Sequence, residues 1–382
     1  MNLKVGIVGL PNAGKSTLFN ALLKRQVATA ANYPFTTIEP NIGVVPVPDD
    51  RLSKLAEVTK EEEHMDKLPP LVPAIVEFVD IAGLVKGASE GQGLGNKFLS
   101  HIREVDIICN VVRLFPDADV VHVAGTIDPA RDREIIETEL ILADLQTLEK
   151  QTEPRGVNDK AAEERWELIK KLQEGLNQGK SARIVLEDPD EREKVNDLHL
   201  LSMKPVLYVS NVSEEQLASD VIPATEPESS QTKTWIPGSF GKTQDKQARD
   251  DKITISAKIE AELSSLAEED QKAYLKELGL SESGLDRLIQ KAYEMLGLIS
   301  FLTSGIKEVR AWTIEKGTKA PQAAGVIHTD FEKKFIKADV IAYEDFISVG
   351  GWKKAREVGK VRSEGKEYVL QDGDVVEFKV GS

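Results

Sequence analysis

A glycine-rich run near the start of the chain restricts the folds that it can adopt. Residues 9–17 read GLPNAGKST. The run follows the apolar segment Val5–Val8, which predicts a buried strand, and precedes Leu18–Leu23, which is typical of a helix. Strand, glycine-rich turn and helix in this order are the context in which a GxxxxGKS pattern binds phosphate. The run therefore predicts a phosphate-binding loop in an α/β fold with a parallel sheet.

The fixed positions of this loop each have a chemical reason. Gly9 and Gly14 let the backbone curl so that successive N–H groups face one anion. The helix that starts near Lys15 adds its positive end, and the Lys15 ammonium can reach the β- and γ-phosphates. The Ser16 hydroxyl can bind Mg²⁺. The alternative is a glycine turn that binds nothing, which the match at every fixed position disfavours.

A second phosphate motif follows the predicted strand 74–79. Asp80-Ile81-Ala82-Gly83 is a DxxG sequence. There the Asp80 carboxylate can hold Mg²⁺ through water, and the Gly83 N–H can donate to the γ-phosphate. A Thr hydroxyl in the loop 32–41 can bind the same ion. DxxG alone is common by chance, so it indicates a phosphate site only because it follows a predicted strand in a chain that also has the glycine-rich loop.

Composition limits the class of protein. The 382 residues allow two or three domains, and 41% hydrophobic residues are ordinary for a globular protein. A net charge of −15 argues against a general nucleic-acid coat, because phosphate binding needs clustered Lys and Arg. Cys109 is the single cysteine, which agrees with a reducing compartment. The first apolar run is too short for a signal peptide or membrane span. We expect a cytoplasmic protein without a membrane segment.

The rest of the chain indicates an insertion and a second domain. Apolar stripes at helical spacing on either side of the polar turn 151–158 predict an antiparallel helical hairpin over 131–200. It either projects from the nucleotide domain or packs on the sheet. Short strand-like runs predict a separate α+β domain over 303–382, in which Asp372-Gly373 predicts a hairpin. The nucleotide-binding domain is thus expected over 1–302, interrupted by the insertion. Residues 215–251 are polar and predict a long excursion from the fold.

The segment after the predicted strand 205–210 bears on the choice of base. Guanine-binding relatives of such proteins carry NKxD there, and the Asp carboxylate accepts hydrogen bonds from the guanine N1 and N2 groups. This chain reads Asn211-Val212-Ser213-Glu214, with Val212 for the Lys and Glu214 for the Asp. Adenine lacks both of these donors, so a carboxylate at this position would have no hydrogen bond to accept from the base. The substitution favours ATP.

These motifs, with NYPFTTIEPN, DIAGLVKGASEGQGLGNKFLSHIREVD and the C-terminal AWTIEKGTKAPQAAGVIHTDFEKKFIKADVIAYEDF, resemble the YchF family of Obg-related ATPases. The resemblance covers nearly the whole chain outside 215–251. It implies an Obg-type P-loop nucleotide-binding domain with a coiled-coil insertion and a C-terminal TGS domain. It also implies hydrolysis of ATP to ADP and phosphate, and association with the ribosome or a ribosomal subunit.

Site residues follow from the resemblance position by position. The nucleotide-binding residues that the motifs and the resemblance give together are Asn12, Ala13, Gly14, Lys15, Ser16, Thr17, Gly83, Asn211, Val212, Ser256, Ala257 and Lys258. The implied magnesium ligands are Ser16 and Thr37, with Asp80 acting through water.

Two positions depart from expected catalytic groups. Leu84 follows DxxG, where many small GTPases have a water-orienting Gln, and Asn110 stands where YchF sequences usually carry His. Neither side chain can act as an acid or base. Two other functions therefore stay open beside the ATPase. One is a binding module that ATP locks, with incidental hydrolysis, and the other is a GTP-binding ribosome assembly factor, which rests on fold analogy alone.

Two further sites are expected from residue type. The Asn12 amide oxygen is a hard neutral ligand that could hold K⁺ beside the phosphates, so Asn12 joins Lys15 as a candidate catalytic residue; alternatively it only braces the loop. Lys353, Lys354 and Arg356 begin a basic cluster in the TGS-like region that could contact RNA. The alternative for this cluster is a solvated loop, because nearby Glu residues dilute its charge.

Overall fold

The computed structural model describes residues 3–29, 41–81, 93–115, 128–154, 159–220 and 252–381. Its strands are β1 (Lys4–Val8), β2 (Ile42–Pro46), β3 (Leu71–Val72), β4 (Ile75–Asp80), β5 (Ile107–Arg113), β6 (Val206–Asn211), β7 (Lys252–Ile255), β8 (Leu298–Ser304), β9 (Val309–Glu315), β10 (Phe335–Ala342), β11 (Arg362–Glu364) and β12 (Asp374–Val380). Its helices are α1 (Lys15–Thr29), α2 (Arg51–Glu62), α3 (Gly93–Arg103), α4 (Pro129–Leu148), α5 (Lys160–Asn177), α6 (Ala182–Val185), α7 (Pro189–Glu193), α8 (Glu214–Asp220), α9 (Ala257–Leu263), α10 (Glu268–Glu277), α11 (Gly284–Met295), α12 (Ala320–Ile327), α13 (Thr329–Lys333), α14 (Tyr343–Val349) and α15 (Trp352–Glu357).

The first sheet is the predicted parallel sheet with one antiparallel edge. Its strand order is β2-β4-β1-β5-β6-β7, and only the β2–β4 pair is antiparallel. Every residue of β5 is buried, as expected for a central strand that is covered on both faces. Leu18 and Leu22 of α1 pack with one face of the sheet, and Ile102 of α3 packs with the other. This arrangement confirms the predicted α/β class.

The helical insertion combines the two arrangements that the sequence left open. Ile136 and Leu140, in the first part of α4, belong to the same core cluster as Ile108 of β5. Later in α4, Leu148 packs in a separate cluster with residues of α5 such as Leu172. The helices therefore pack on the sheet at one end and on each other beyond it. A coiled-coil geometry for this pair stays a prediction.

The second sheet has the order β11-β10-β12-β8-β9-β3. Leu71–Val72 comes from the N-terminal half of the chain yet pairs in parallel with β9. Strand β8 lies across the predicted boundary between residues 302 and 303, and the division into domains stays a prediction. Within the C-terminal part, α12 packs against the sheet in a cluster that includes Ala323, Phe301 and Val340.

The hairpin predicted at Asp372-Gly373 is wrong. The turn leads into β12, but β12 pairs with β10 and β8, and the residues before the turn make only an isolated bridge between Val369 and Lys319. The Asp372 carboxylate instead accepts hydrogen bonds from Ser300 N at 2.9 Å and from Arg51 Nη1 at 2.8 Å. Distant elements hold this turn, so its sequence signal did not report its strand partners.

Two expectations about the remaining segments can be compared with the structure. The start of the predicted excursion, residues 215–220, is the greater part of helix α8, while 221–251 lie outside the described residues. None of the helices that the structure describes is both long enough and apolar enough to cross a membrane.

Candidate nucleotide-binding site

The phosphate loop has the backbone conformation that its glycines predict. Gly14 has φ +96° and Asn12 has φ +65°, both in the left-handed region. A Cβ atom at Gly14 would lie 2.2 Å from Asn211 Nδ2, and one at Gly9 would lie 2.4 Å from the Val111 carbonyl oxygen. Because neither position has room for a side chain, both glycines are required by the packing beneath the loop.

Lys15 begins α1 and folds its side chain back over the loop. Its Nζ donates a hydrogen bond to the Leu10 carbonyl oxygen at 2.8 Å, and only 9% of the residue is exposed. Burial lowers the pKa of the Lys15 ammonium, while the negative charge of Asp80 raises it in part. An ammonium that is partly withdrawn from water interacts strongly with an anion beside it. Lys15 is therefore placed for phosphate binding.

Ser16 and Asp80 carry the side-chain oxygens that the sequence assigns to magnesium, with Asp80 acting through water. Asp80 ends β4 beside β1, where Ile7 is its register partner. Burial raises the pKa of its carboxyl group, and the Lys15 charge lowers it in part. The Ser16 side chain is exposed in the first turn of α1. One carboxylate and one hydroxyl fit Mg²⁺, which takes few protein ligands and fills its shell with water and phosphate oxygens.

The part of the chain that the structure describes contains no group of three or more His, Cys, Asp or Glu placed to hold a metal ion. Three positions that the sequence singled out, Thr37, Gly83 and Leu84, lie outside the described residues. The nucleotide-binding segments around them remain predictions.

Asn211 joins the phosphate loop to the turn after β7. Its Nδ2 donates to the Ala13 carbonyl oxygen at 3.0 Å, and its Oδ1 accepts from Ala257 N at 2.9 Å. The residue is 3% exposed. One amide thus satisfies a buried carbonyl of the phosphate loop and a buried N–H of the 256–258 turn. The structure thereby brings together three predicted parts of the site that are far apart in the sequence.

Val212 and Ser256 are buried between the same elements. Val212 N donates to the Ile255 carbonyl oxygen at 2.8 Å, and the Val212 side chain packs with Ile259 and Leu263. The Val212 side chain is therefore buried within the protein, at 6% exposure. Ser256 is 1% exposed, and its hydroxyl has no hydrogen-bond partner among the described residues. Any contact of these residues with a base would use their backbone.

An open pocket of about 860 Å³ lies beside the start of α1. Thr17 and Lys258 line it together, as the predicted site requires. The other lining residues, to which the sequence assigned no role in the site, are Ala261, Glu262, Ser265, Leu266 and Tyr274. Lys258, Ala261, Glu262 and Ser265 are spaced i, i+3, i+4 and i+7, so one face of α9 and its end forms the wall. That helical spacing was the one sequence signal that could have grouped these residues, although it does not show which face of the helix a ligand would contact. The volume is within the range of small-ligand sites.

Comparison with known proteins places the chain among relatives over its full length. Residues 4–150 match the family model MMR_HSR1, "50S ribosome-binding GTPase", and residues 298–381 match YchF-GTPase_C, "Protein of unknown function (DUF933)". The chain is 49% identical over 383 residues to "Ribosome-binding ATPase YchF" of Bacillus subtilis (strain 168), with 99% of each chain covered. The chain belongs to the YchF family.

Other YchF proteins agree in sequence and in fold. The protein of Escherichia coli O157:H7, also named "Ribosome-binding ATPase YchF", is 45% identical over 383 residues, with 99% of each chain covered. The solved structure of the Schizosaccharomyces pombe YchF GTPase has a TM-score of 0.82 and 39% identity, covering 99% of this chain and 98% of that one. These names differ between ATPase and GTPase, so they do not decide which base the family site selects.

Asn110 occupies a buried place in the YchF-family sheet. It lies on β5 between Val8 of β1 and Tyr208 of β6. It is 3% exposed, and its Oδ1 accepts no hydrogen bond from a described residue. A buried acceptor without a partner is costly, but a carboxamide does not take up a proton at neutral pH. Asn110 therefore cannot serve as a general base.

The basic cluster of the C-terminal part is largely paired with acidic groups. Lys353 Nζ lies 3.3 Å from Glu63 Oε1, and Lys353 N donates to Glu62 Oε1 at 2.6 Å. Arg356 pairs with Glu377 and lies over the Trp352 ring.

Lys354 makes no ion pair with a described residue, in contrast to its two neighbours in the cluster.

The Glu62 carboxylate also accepts from Trp352 N at 3.0 Å, so it holds the start of α15 against the end of α2. Much of the predicted RNA face is therefore a contact within the molecule. Contact between this face and RNA stays a prediction.

Proposed function

We propose that this chain is a magnesium-dependent ATPase that binds ATP in preference to GTP and associates with the ribosome in the cytoplasm under nucleotide control. The observation that carries the proposal is the amide of Asn211, which joins the phosphate loop to the 256–258 turn without a Lys or Asp of the NKxD kind beside it. The names of the Bacillus subtilis and Escherichia coli relatives support the ribosome and ATP.

The residues around the loop support nucleotide binding in distinct ways. The Lys15 ammonium neutralises phosphate charge, and the first turn of α1 adds its free N–H groups. The left-handed backbone at Asn12 and Gly14 shapes the loop around the anion. Magnesium, which Ser16, Asp80 and the predicted Thr37 would hold, supplies neutralisation of the phosphate charge that develops during phosphoryl transfer.

The second candidate is a module that ATP locks into one conformation, with incidental hydrolysis. Asn110 favours it, because the buried amide at this place offers no proton acceptor for the attacking water. The two functions differ in what controls ribosome contact. In an ATPase cycle, turnover resets the binding state. In the locked module, occupancy by ATP is sufficient.

Single-turnover hydrolysis, measured beside ribosome co-sedimentation, distinguishes these candidates. The chain is loaded with ATP, ADP or a non-hydrolysable ATP analogue, with Lys15→Ala as the control that lacks the phosphate contact. The ATPase predicts hydrolysis on the timescale of ribosome release and different co-sedimentation in ATP and ADP. Hydrolysis much slower than release would favour the locked module, and equal co-sedimentation in every nucleotide would contradict nucleotide control.

We also propose that K⁺ accelerates hydrolysis more than Na⁺, with the Asn12 amide oxygen as one ligand. Asn12 is exposed in the phosphate loop and has φ +65°, and both observations support the proposal. An alkali cation there would neutralise charge that develops between the β- and γ-phosphates. Turnover is compared in K⁺ and Na⁺ at matched ionic strength for the wild type and for Asn12→Ala. A wild type indifferent to the cation contradicts the proposal, and a K⁺ effect that survives in the variant excludes Asn12 as the ligand.

A further inference from the structure

An ion pair connects the two loops on the base side of the site. Lys258 Nζ lies 2.8 Å from Glu214 Oε1. Glu214 begins α8 directly after β6, and Lys258 lies in the first turn of α9 after β7. These strands are neighbours in the sheet, so the pair spans the edge at which both loops emerge. The hydrogen bond to Glu214 and its charge raise the pKa of Lys258.

The Lys258 end of this ion pair lies at the wall of the pocket. Lys258 lines the pocket together with Thr17, in the first turn of the helix that follows the phosphate loop. Tyr274 and Glu262 line it as well, and the Tyr274 hydroxyl donates to Glu262 Oε2 at 3.3 Å. A base attached to phosphates in the loop would approach this wall. The pair is therefore in position to affect which base binds.

The ion pair engages the Glu214 carboxylate, which is the kind of group that recognises guanine. Guanine presents the N1–H and the N2 amine, and a free carboxylate accepts from both. Glu214 stands at the carboxylate position of the NKxD pattern, but its oxygen is engaged by an ammonium group. Adenine lacks both donors and loses nothing when the carboxylate is engaged. The ion pair thus removes an acceptor that would benefit one base and not the other.

We propose that Lys258 determines base specificity in this site by holding Glu214 away from the guanine edge. The inference rests on the proposed ATP-binding function and adds the residue pair that sets the selectivity. Both side chains are substantially exposed, at 72% for Lys258 and 41% for Glu214, so the pair contributes little to the stability of the fold. Its removal should therefore change selectivity in a folded protein.

The test compares the dissociation constants of ADP and GDP, which avoids hydrolysis during titration. Lys258→Met removes the charge and keeps the apolar stem. The ratio of the GDP to the ADP constant should fall by about threefold, because the freed carboxylate no longer has to break an exposed ion pair before it accepts hydrogen bonds from guanine. Glu214→Gln alone should leave the ratio near that of the wild type. The double variant Lys258→Met/Glu214→Gln should lose the gain.

Lys170→Met is the matched control, because Lys170 also forms an exposed ion pair, with Glu167 at 2.9 Å on α5, and does not line the pocket. It should leave the ratio unchanged. An unchanged ratio in Lys258→Met, equal weakening of both nucleotides, or a gain that persists in the double variant would each overturn the inference. The wild-type ratio itself tests the proposed ATP preference, so failure of that function is distinguished from failure of the ion-pair role.

Discussion

The phosphate loop and the basic cluster of Lys353, Lys354 and Arg356 differ in how much of the structure their sequences predicted. In the loop, Gly9 and Gly14 occupy backbone positions where no side chain fits, and Lys15 lies over the loop that the motif defines. In the cluster, Lys353 and Arg356 are paired with Glu63 and Glu377. The first signal predicted a geometry, and the second predicted only a charge.

The difference follows from what each signal constrains. A phosphate-loop motif fixes backbone dihedrals, the start of a helix and the identity of one cation, so few structures satisfy it. A run of Lys and Arg leaves open which acidic groups the fold brings near them. Here Glu62 ends α2 and Glu63 follows it, almost three hundred residues earlier in the chain. A basic run in sequence is therefore weak evidence for a basic surface.

The largest effect that we expect is from Lys15→Ala. Loss of the ammonium beside the phosphates should lower turnover by about 10²-fold or more, because no other described Lys is placed in the loop. Lys24→Ala, in the same helix, is the matched control and should retain activity. Turnover and thermal unfolding are measured for both variants. Wild-type turnover in Lys15→Ala would show that this loop is not the active site. The loop would then no longer be an example of a motif that predicts a functional geometry.

The second-largest effect that we expect is from Asn211→Ala. It leaves the Ala13 carbonyl oxygen and the Ala257 N–H without their partner, at a cost of about 1–3 kcal/mol per buried group. We expect a lower midpoint of thermal unfolding and weaker binding of both ATP and ADP in calorimetry. The control is Asn177→Ala, where the amide donates to the Gln173 carbonyl oxygen within an exposed helix turn. Unchanged nucleotide binding in Asn211→Ala would contradict its role in joining the loops.

The smallest effect should come from the basic cluster. If the cluster contacts RNA, Lys354→Gln should weaken ribosome co-sedimentation more than Arg356→Gln, because Arg356 is already paired with Glu377. The loss of one phosphate contact should also reduce the salt slope of binding by about one. Both variants are compared in a salt series. Equal effects, or a larger effect from Arg356, would show that pairing in the free protein does not predict RNA contact.

The sequence predicted the first sheet well and the second sheet poorly, for a physical reason. The parallel strands β1, β5 and β6 are short, largely apolar runs, and β5 is buried along its whole length. The partners of the second sheet are set by contacts between distant segments, as in the pairing of Leu71 with Val309. Local turn chemistry at Asp372-Gly373 indicated a turn but could not show that β12 pairs with β8 and β10.

The candidate site was predictable to the extent that motifs define it. The resemblance to the YchF family implied roles for Asn211, Ala257 and Lys258, and the structure shows that the Asn211 amide bonds to the phosphate loop and to the 256–258 turn. The pocket wall formed by Ala261, Ser265 and Tyr274 was missed, because helical spacing does not reveal which face meets a ligand. The pairing of Lys258 with Glu214 was also beyond the sequence, since it depends on neighbouring loops in the fold.

The central claim is that the base side of this site selects adenine. Calorimetric titration of the wild-type chain with ATP and with GTP in magnesium buffer tests it most directly, with Lys15→Ala as the control for binding at the loop. We predict that ATP binds more tightly by about tenfold or more, the effect of at least one unmatched polar group in the GTP complex. Equal affinity for the two nucleotides, or tighter binding of GTP, would contradict the account.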